Sequence, residues 1–198
     1  MTLPALRAEV ATCTRPCSGE FVCGDLACYK VQGDTTYVLM LDATGHGKQA
    51  RAVAEIAERT FARVALDDPT TFLALLHDRL RGTRGAAGGL ARVDLAKRRL
   101  TYAAVGNTAA RLIGQRDTEF VCRDGILGDR FRPPKAQSVE LWPQDLLVMH
   151  SDGISARFSI ETLADLRTSQ VGRATTVLLT RHGKIHDDAG CAVVRIKA

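Results

Sequence analysis

Short apolar and β-branched runs separated by tight turn signals recur along the whole chain, and helical patterns interrupt them in two places. Leu6–Cys13 and Leu26–Val31 read as strands on either side of a Pro16-Cys17-Ser18-Gly19 turn region. Gly33-Asp34 makes a hairpin turn into Thr35–Leu41, which is rich in β-branched and apolar residues. Ala50, Val53, Ala54, Ile56, Ala57 and Phe61 then keep helical spacing from the Gly45–Gly47 turn through Val64. Asp67-Asp68-Pro69 stops that helix, and Thr70 or Thr71 caps a second one carrying Phe72, Leu73, Leu75, Leu76 and Leu80. After the glycine-rich stretch Gly82–Gly89, the segments Gly89–Leu95 and Leu100–Val105 form a hairpin around Ala96–Arg99. Strands follow at Thr108–Ile113 and Glu119–Cys122, and Ser138–Trp142 pairs with Leu146–His150 around Pro143-Gln144. Two more helices, Ile160–Ser169 and Arg173–His182, precede a last strand, Ala192–Lys197. Hairpin-linked strands make mainly antiparallel sheets, and strand runs with segregated helices indicate an α+β fold. A β-sandwich of two sheets flanked by helix pairs, in α-β-β-α layers, uses every element. The 198 residues suit a single domain spanning 1–198, and 45% apolar residues suffice for a core.

The formal net charge of +5 favours acidic partners, but the basic residues are scattered. The densest run, Lys97-Arg98-Arg99 with Arg92 nearby, sits between two strands and reads as a solvated turn. Neither nucleic acid nor membrane is expected as a partner. Aromatic and basic residues do not interleave, and no run approaches the ~20 apolar residues of a membrane span. Met1–Arg7 lacks the regions of a signal peptide, so a cytoplasmic setting is expected. There, disulfides are disfavoured. The spacing of Cys13, Cys17, Cys23 and Cys28 lacks the paired C-x2-C pattern of zinc sites. These four, with Cys122 and Cys191, read as core thiols.

Chemistry concentrates at strand ends. Asp42-Ala43-Thr44-Gly45-His46-Gly47 places a carboxylate where an apolar strand meets a glycine-rich turn and a helix. His150-Ser151-Asp152-Gly153 repeats that layout, Gly24-Asp25 opens the second strand, and Asp187-Asp188 precedes the last. Each alone is also an ordinary turn. Together they form an all-oxygen donor set of the kind hard divalent cations require. Two cations can activate water and neutralise a phosphoryl group during in-line attack. Neither G-x-S-x-G nor a P-loop is present.

The motif order, Gly24-Asp25, then D-x-x-G-x-G-x-x-A from Asp42, Val105-Gly106-Asn107, Ser151-Asp152-Gly153 and Asp187-Asp188, resembles the metal-dependent protein phosphatases of type 2C. The bacterial sporulation and stress-response branch is the most similar, including its small stressosome phosphatases. The bare-domain length, Arg84-Gly85-Ala86 and Thr101–Asn107 carry that likeness. The resemblance implies a phosphatase using two cations, Mn2+ or Mg2+, on phosphoserine or phosphothreonine proteins such as stressosome scaffold and sensor proteins. By motif position, Asp42 bridges both metals, Ala43 adds its carbonyl, and Asp25 acts mainly through water. Asp152 and Asp187 hold the second metal, with Asp188 in support. The resemblance thus makes Asp42 and Asp25 the expected catalytic pair. Thr44 stands where some relatives carry a histidine proposed as general acid, and His46 lies two residues further on, so that role is unassigned. Ala189-Gly190 follows Asp187-Asp188, where relatives often read x-Thr.

A catalytically silent phosphatase-like binding module is the main competing reading, and a metal-dependent nuclease the second. No ligand aspartate is missing, which argues against the first. The loop Asp124–Lys135, with Arg130, Arg132 and Pro133-Pro134, reads as a surface for docking a phosphoprotein. His77 and His182 read as surface or capping residues, Trp142 as packing, and Asn107 as either a turn residue or one that orients a site loop.

Overall fold

Two five-stranded antiparallel sheets lie between helix pairs in the computed structural model, which describes residues 4–198. The elements are β1 (Arg7–Arg15), β2 (Asp25–Gln32), β3 (Thr35–Ala43), α1 (Gly47–Arg63), α2 (Pro69–Arg79), β4 (Ala86–Asp94) and β5 (Arg99–Val105). They continue with β6 (Ala109–Ile113), β7 (Thr118–Glu119), β8 (Gln137–Glu140), β9 (Leu146–His150), α3 (Ile160–Thr168), α4 (Val171–His182) and β10 (Ala189–Lys197). One sheet runs β1-β10-β9-β6-β7 and the other β2-β3-β4-β5-β8. The layered α+β sandwich expected from the sequence is the observed architecture.

The central strands are apolar on both faces because each face meets a different layer. In β3, Val38 and Met40 point between the sheets, against Leu147, Met149, Ala192 and Val194. Their neighbours Leu39 and Leu41 point the other way, against Ala54, Ala57, Phe61, Leu73 and Leu76 of α1 and α2. Adjacent strand residues face opposite sides, so a strand covered twice shows a continuous apolar run. On the far side, Val148, Cys191 and Val193 pack on Leu166, Ala174 and Leu178 of α3 and α4. All six cysteines are free; Cys17, Cys23 and Cys191 are buried and the rest half-buried.

Several local expectations need correction. Asp68, not Thr70 or Thr71, caps α2, its carboxylate accepting from the Thr71 amide at 2.8 Å. Pro69 takes the first helical position, where no amide is needed. Such a cap contributes about 1 kcal/mol. Of the strand expected at Glu119–Cys122, only Glu119 lies in a strand, the two-residue β7 that begins at Thr118. β8 and β9 do not pair with each other: β8 edges the second sheet on β5, and β9 sits between β6 and β10 in the first. The Trp142–Asp145 turn therefore carries the chain from one sheet to the other. Its Asp145 side chain accepts from the Trp142 amide at 2.8 Å, and Gln144 adopts a φ of 73°. Exposure explains the separation. β8 alternates between half-buried and exposed residues, as an edge strand does, whereas β9 is buried throughout and belongs in a sheet interior.

Antiparallel pairing brings the functional ends together. β2 begins where β3 ends, with Asp25 opposite Asp42. β9 ends where β10 begins, with His150 opposite Cys191.

Candidate active site

The four carboxylate motifs converge at one end of the sandwich, around an open cavity of about 540 Å³. Asp42, Asp152 and Asp187 line it, with Thr44, His46 and Asn107 on its walls. Asp25 lies behind them, 2% exposed, and one of its oxygens is buried without a hydrogen-bond partner. Like charges directly opposite on an antiparallel ladder repel, yet Asp25 and Asp42 occupy such a pair. Burial first, then Asp25, Asp152 and Asp187, push the Asp42 carboxyl well above the usual carboxylate range. Burial likewise raises Asp25, against a hydrogen bond from Ser151 and with help from Asp188, Asp187 and Asp152. Burial and Asp152 raise Asp187.

The surrounding residues fix these groups. Asn107 donates its side-chain amide to Asp152 at 2.6 Å. Asp188 accepts from the Cys17 amide at 2.8 Å and the Gly24 amide at 2.7 Å, one on each oxygen. Its carboxylate thus staples the segment leading into Asp25. Gly153 runs so close to the Asp188 carbonyl that a side chain there would collide with it. A β-carbon on Gly190 would lie 3.1 Å from that of Asp25, a physical reason for glycine after Asp187-Asp188-Ala189. Ala43 ends β3 opposite Ala86. His150 is structural: buried, at 2.8 Å from the Ser151 carbonyl, and edge-on to Phe158.

Three features at or beside the cavity were not assigned from the sequence. Asp124 lines the cavity, although its segment reads as a surface loop. The signal was an Asp-Gly pair like Asp152-Gly153. His46, which lines the cavity, pairs with Glu20 at 2.9 Å. Arg84, exposed in the turn before β4, brings its guanidinium to 2.7 Å from where a β-carbon on Gly45 would stand. Gly45, with a φ of +85°, leaves that place free. His77 is not a surface residue: it is buried, accepts from the Gly128 amide at 2.9 Å and stacks on Phe131. His182 is half-buried and lies 3.0 Å from the Thr162 hydroxyl.

The donor set fits hard divalent cations. Among the described residues, no group of three acidic, histidine or cysteine side chains forms a ready-made cage. Asp42 instead stands between Asp25 and Asp152, and the Asp25 oxygen left without a partner calls for a positive one. Few protein oxygens per ion, with water completing the shell, is the habit of Mg2+.

This sandwich has the fold of solved PP2C phosphatase domains. A solved structure from work on the bacterial stressosome as a modular system controlling secondary messenger signalling is 29% identical, with a TM-score of 0.89, covering 96% of this chain and 100% of that one. RsbX in complex with magnesium is 16% identical at a TM-score of 0.83, covering 96% of both chains. The catalytic domain of the serine/threonine protein phosphatase PstP with two manganese ions is 15% identical at 0.71, covering 98% of this chain and 100% of that one. No curated protein matches the sequence. The chain belongs to the Stage II sporulation protein E (SpoIIE) family, whose sequence profile matches residues 32–197.

Proposed function

We propose that the protein is a cytoplasmic phosphatase that resets a stress-signalling complex by removing phosphate from serine or threonine in stressosome-type scaffold and sensor proteins. The observation that carries the metal chemistry is the buried, unpartnered Asp25 oxygen on the strand pair that places Asp25 opposite Asp42. Likeness to the stressosome structure over 96% of this chain and 100% of that one supports the branch.

In this reading Asp42, Asp152, Asp187 and the Ala43 carbonyl would hold two divalent cations, Mn2+ or Mg2+, and Asp25 would contribute from behind, mainly through water. When bound, the cations supply an activated water nucleophile and neutralise charge on the phosphoryl group. The chain's own residues position and balance. Asn107 keeps Asp152 turned toward the cavity. Asp188 acts as a positioning residue rather than a direct ligand, since each of its oxygens already accepts a backbone amide. Arg84 brings a fixed positive charge to the wall at Gly45, suited to a phosphate oxygen.

The open cavity suits a phosphorylated protein surface, where remote contacts contribute to transition-state binding. At fixed Mn2+, kcat/KM on a cognate phosphoserine protein is expected to exceed that on p-nitrophenyl phosphate by at least ~100-fold. Faster turnover of a sugar or nucleotide phosphate than of every phosphoprotein tried would defeat the protein-phosphatase reading.

A further inference from the structure

A second basin of about 510 Å³ adjoins the carboxylate cavity, and Asp124 and Gly125 line both. Its other lining residues are Arg123, Arg130, Phe131 and Arg132. Three arginines against Asp124 leave a net positive wall beside a net negative one. Arg130 approaches Asp129 at 3.9 Å, an exposed and weak pair. Among the described residues, Arg123 and Arg132 have no ion-pair partner.

The segment presenting these arginines is held in place rather than free. Leu127 bridges to Ala86 through paired backbone hydrogen bonds of 2.8 and 3.0 Å, and Ile126 donates to the Arg130 carbonyl at 2.7 Å. Gly128 donates to buried His77, whose ring stacks on Phe131 at a centroid distance of 4.6 Å. Arg123 is tied to the end of β5 by its amide to the Ala104 carbonyl and its carbonyl to the Gly106 amide. Guanidinium groups on a fixed frame lose less freedom on binding than those on a mobile loop.

We propose that this basin binds acidic residues flanking the phosphorylated residue of the protein substrate. Arginine forks match carboxylates in two-point contacts. The shared wall at Asp124 and Gly125 makes the basin continuous with the reaction cavity, so a peptide anchored in one can extend into the other. The choice of substrate class rests on the phosphatase reading above; the basin's affinity for acidic peptide does not.

The test uses three probes with the whole protein: a phosphoserine peptide with aspartate and glutamate on both flanks, the same peptide with alanine flanks, and the acidic peptide without phosphate. The variants are Arg123→Ala/Arg132→Ala and the corresponding double lysine variant. Fluorescence anisotropy is expected to show salt-sensitive binding of the unphosphorylated acidic peptide, weakened ~10-fold or more by the alanine pair and partly restored by the lysine pair. In Mn2+-dependent turnover, the acidic phosphopeptide should be preferred over the alanine-flanked one by ~10-fold, through KM. The alanine pair should erase that preference and leave p-nitrophenyl phosphate turnover unchanged. Equal binding of the acidic peptide by wild type and the alanine pair would overturn the proposal, as would a flank preference that survives it. Retained peptide binding with no phosphopeptide turnover would instead count against the phosphatase reading and leave the basin standing.

Discussion

Asp42→Asn is expected to lower kcat by about a hundredfold or more while raising the melting temperature of the metal-free protein. The first effect follows from position: Asp42 lies at the centre of the acidic group, opposite Asp25 and next to Asp152. Removing its charge weakens both proposed cation positions together. The second follows from the cost of the native arrangement. Two half-buried or buried carboxylates face each other across a ladder, with Asp152 and Asp187 adding repulsion. Without a cation, an amide at position 42 relieves that repulsion. Asp25→Asn should relieve the same repulsion and cost less activity, because Asp25 lies behind the cavity and is not among the residues lining it. Steady-state kinetics at saturating Mn2+ and thermal melts in chelator check both. A larger loss of kcat for Asp25→Asn in folded protein would move the bridging role away from Asp42.

Stabilisation by Mn2+ is expected to grow as pH rises from about 6 to about 8. In the metal-free protein, burial and neighbouring carboxylates push Asp25 up to about 7 and Asp42 to about 8, from an ordinary 3.8. Between the ordinary and raised values the folded chain binds more protons than the unfolded one. The metal-free protein therefore loses stability as pH rises through that window. Cations compete with those protons, so binding releases them and strengthens as they leave. Ligand that binds only the native state raises the melting temperature by mass action. Melts at several pH values with Mn2+ and with EDTA should diverge toward higher pH. A constant difference across the range would mean that Asp25 and Asp42 do not titrate against the metal.

The core of the site was legible in the sequence because hairpin register is set by the turn. With Gly33-Asp34 at the tip, Gln32 faces Thr35, and counting outward places Asp25 opposite Asp42. The Asp152 and Asp187 motifs join them because β9 and β10 are neighbours, which their fully apolar runs only hint at. What the sequence hid was decided by tertiary contact. Pro143-Gln144 has the signature of a hairpin, and local chemistry cannot tell a turn within a sheet from one that crosses between sheets. Asp188 has the same side chain as Asp187, and only the fold directs its oxygens to the amides of Cys17 and Gly24. His77 is followed on its helix by Asp78 and Arg79, and its ring is covered by Phe131, which stacks on it. Asp124 is distant in sequence from every other acidic motif and reaches the cavity through the bridge between Leu127 and Ala86.

The central claim is tested most directly by phosphate release from a phosphoserine protein in Mn2+, in EDTA, and after Mn2+ is restored. Release is expected with Mn2+, with loss on chelation and recovery on adding the metal back, and Asp42→Asn is expected to be slower by about a hundredfold or more in Mn2+. Equal release in EDTA, or full activity of Asp42→Asn, would contradict the claim.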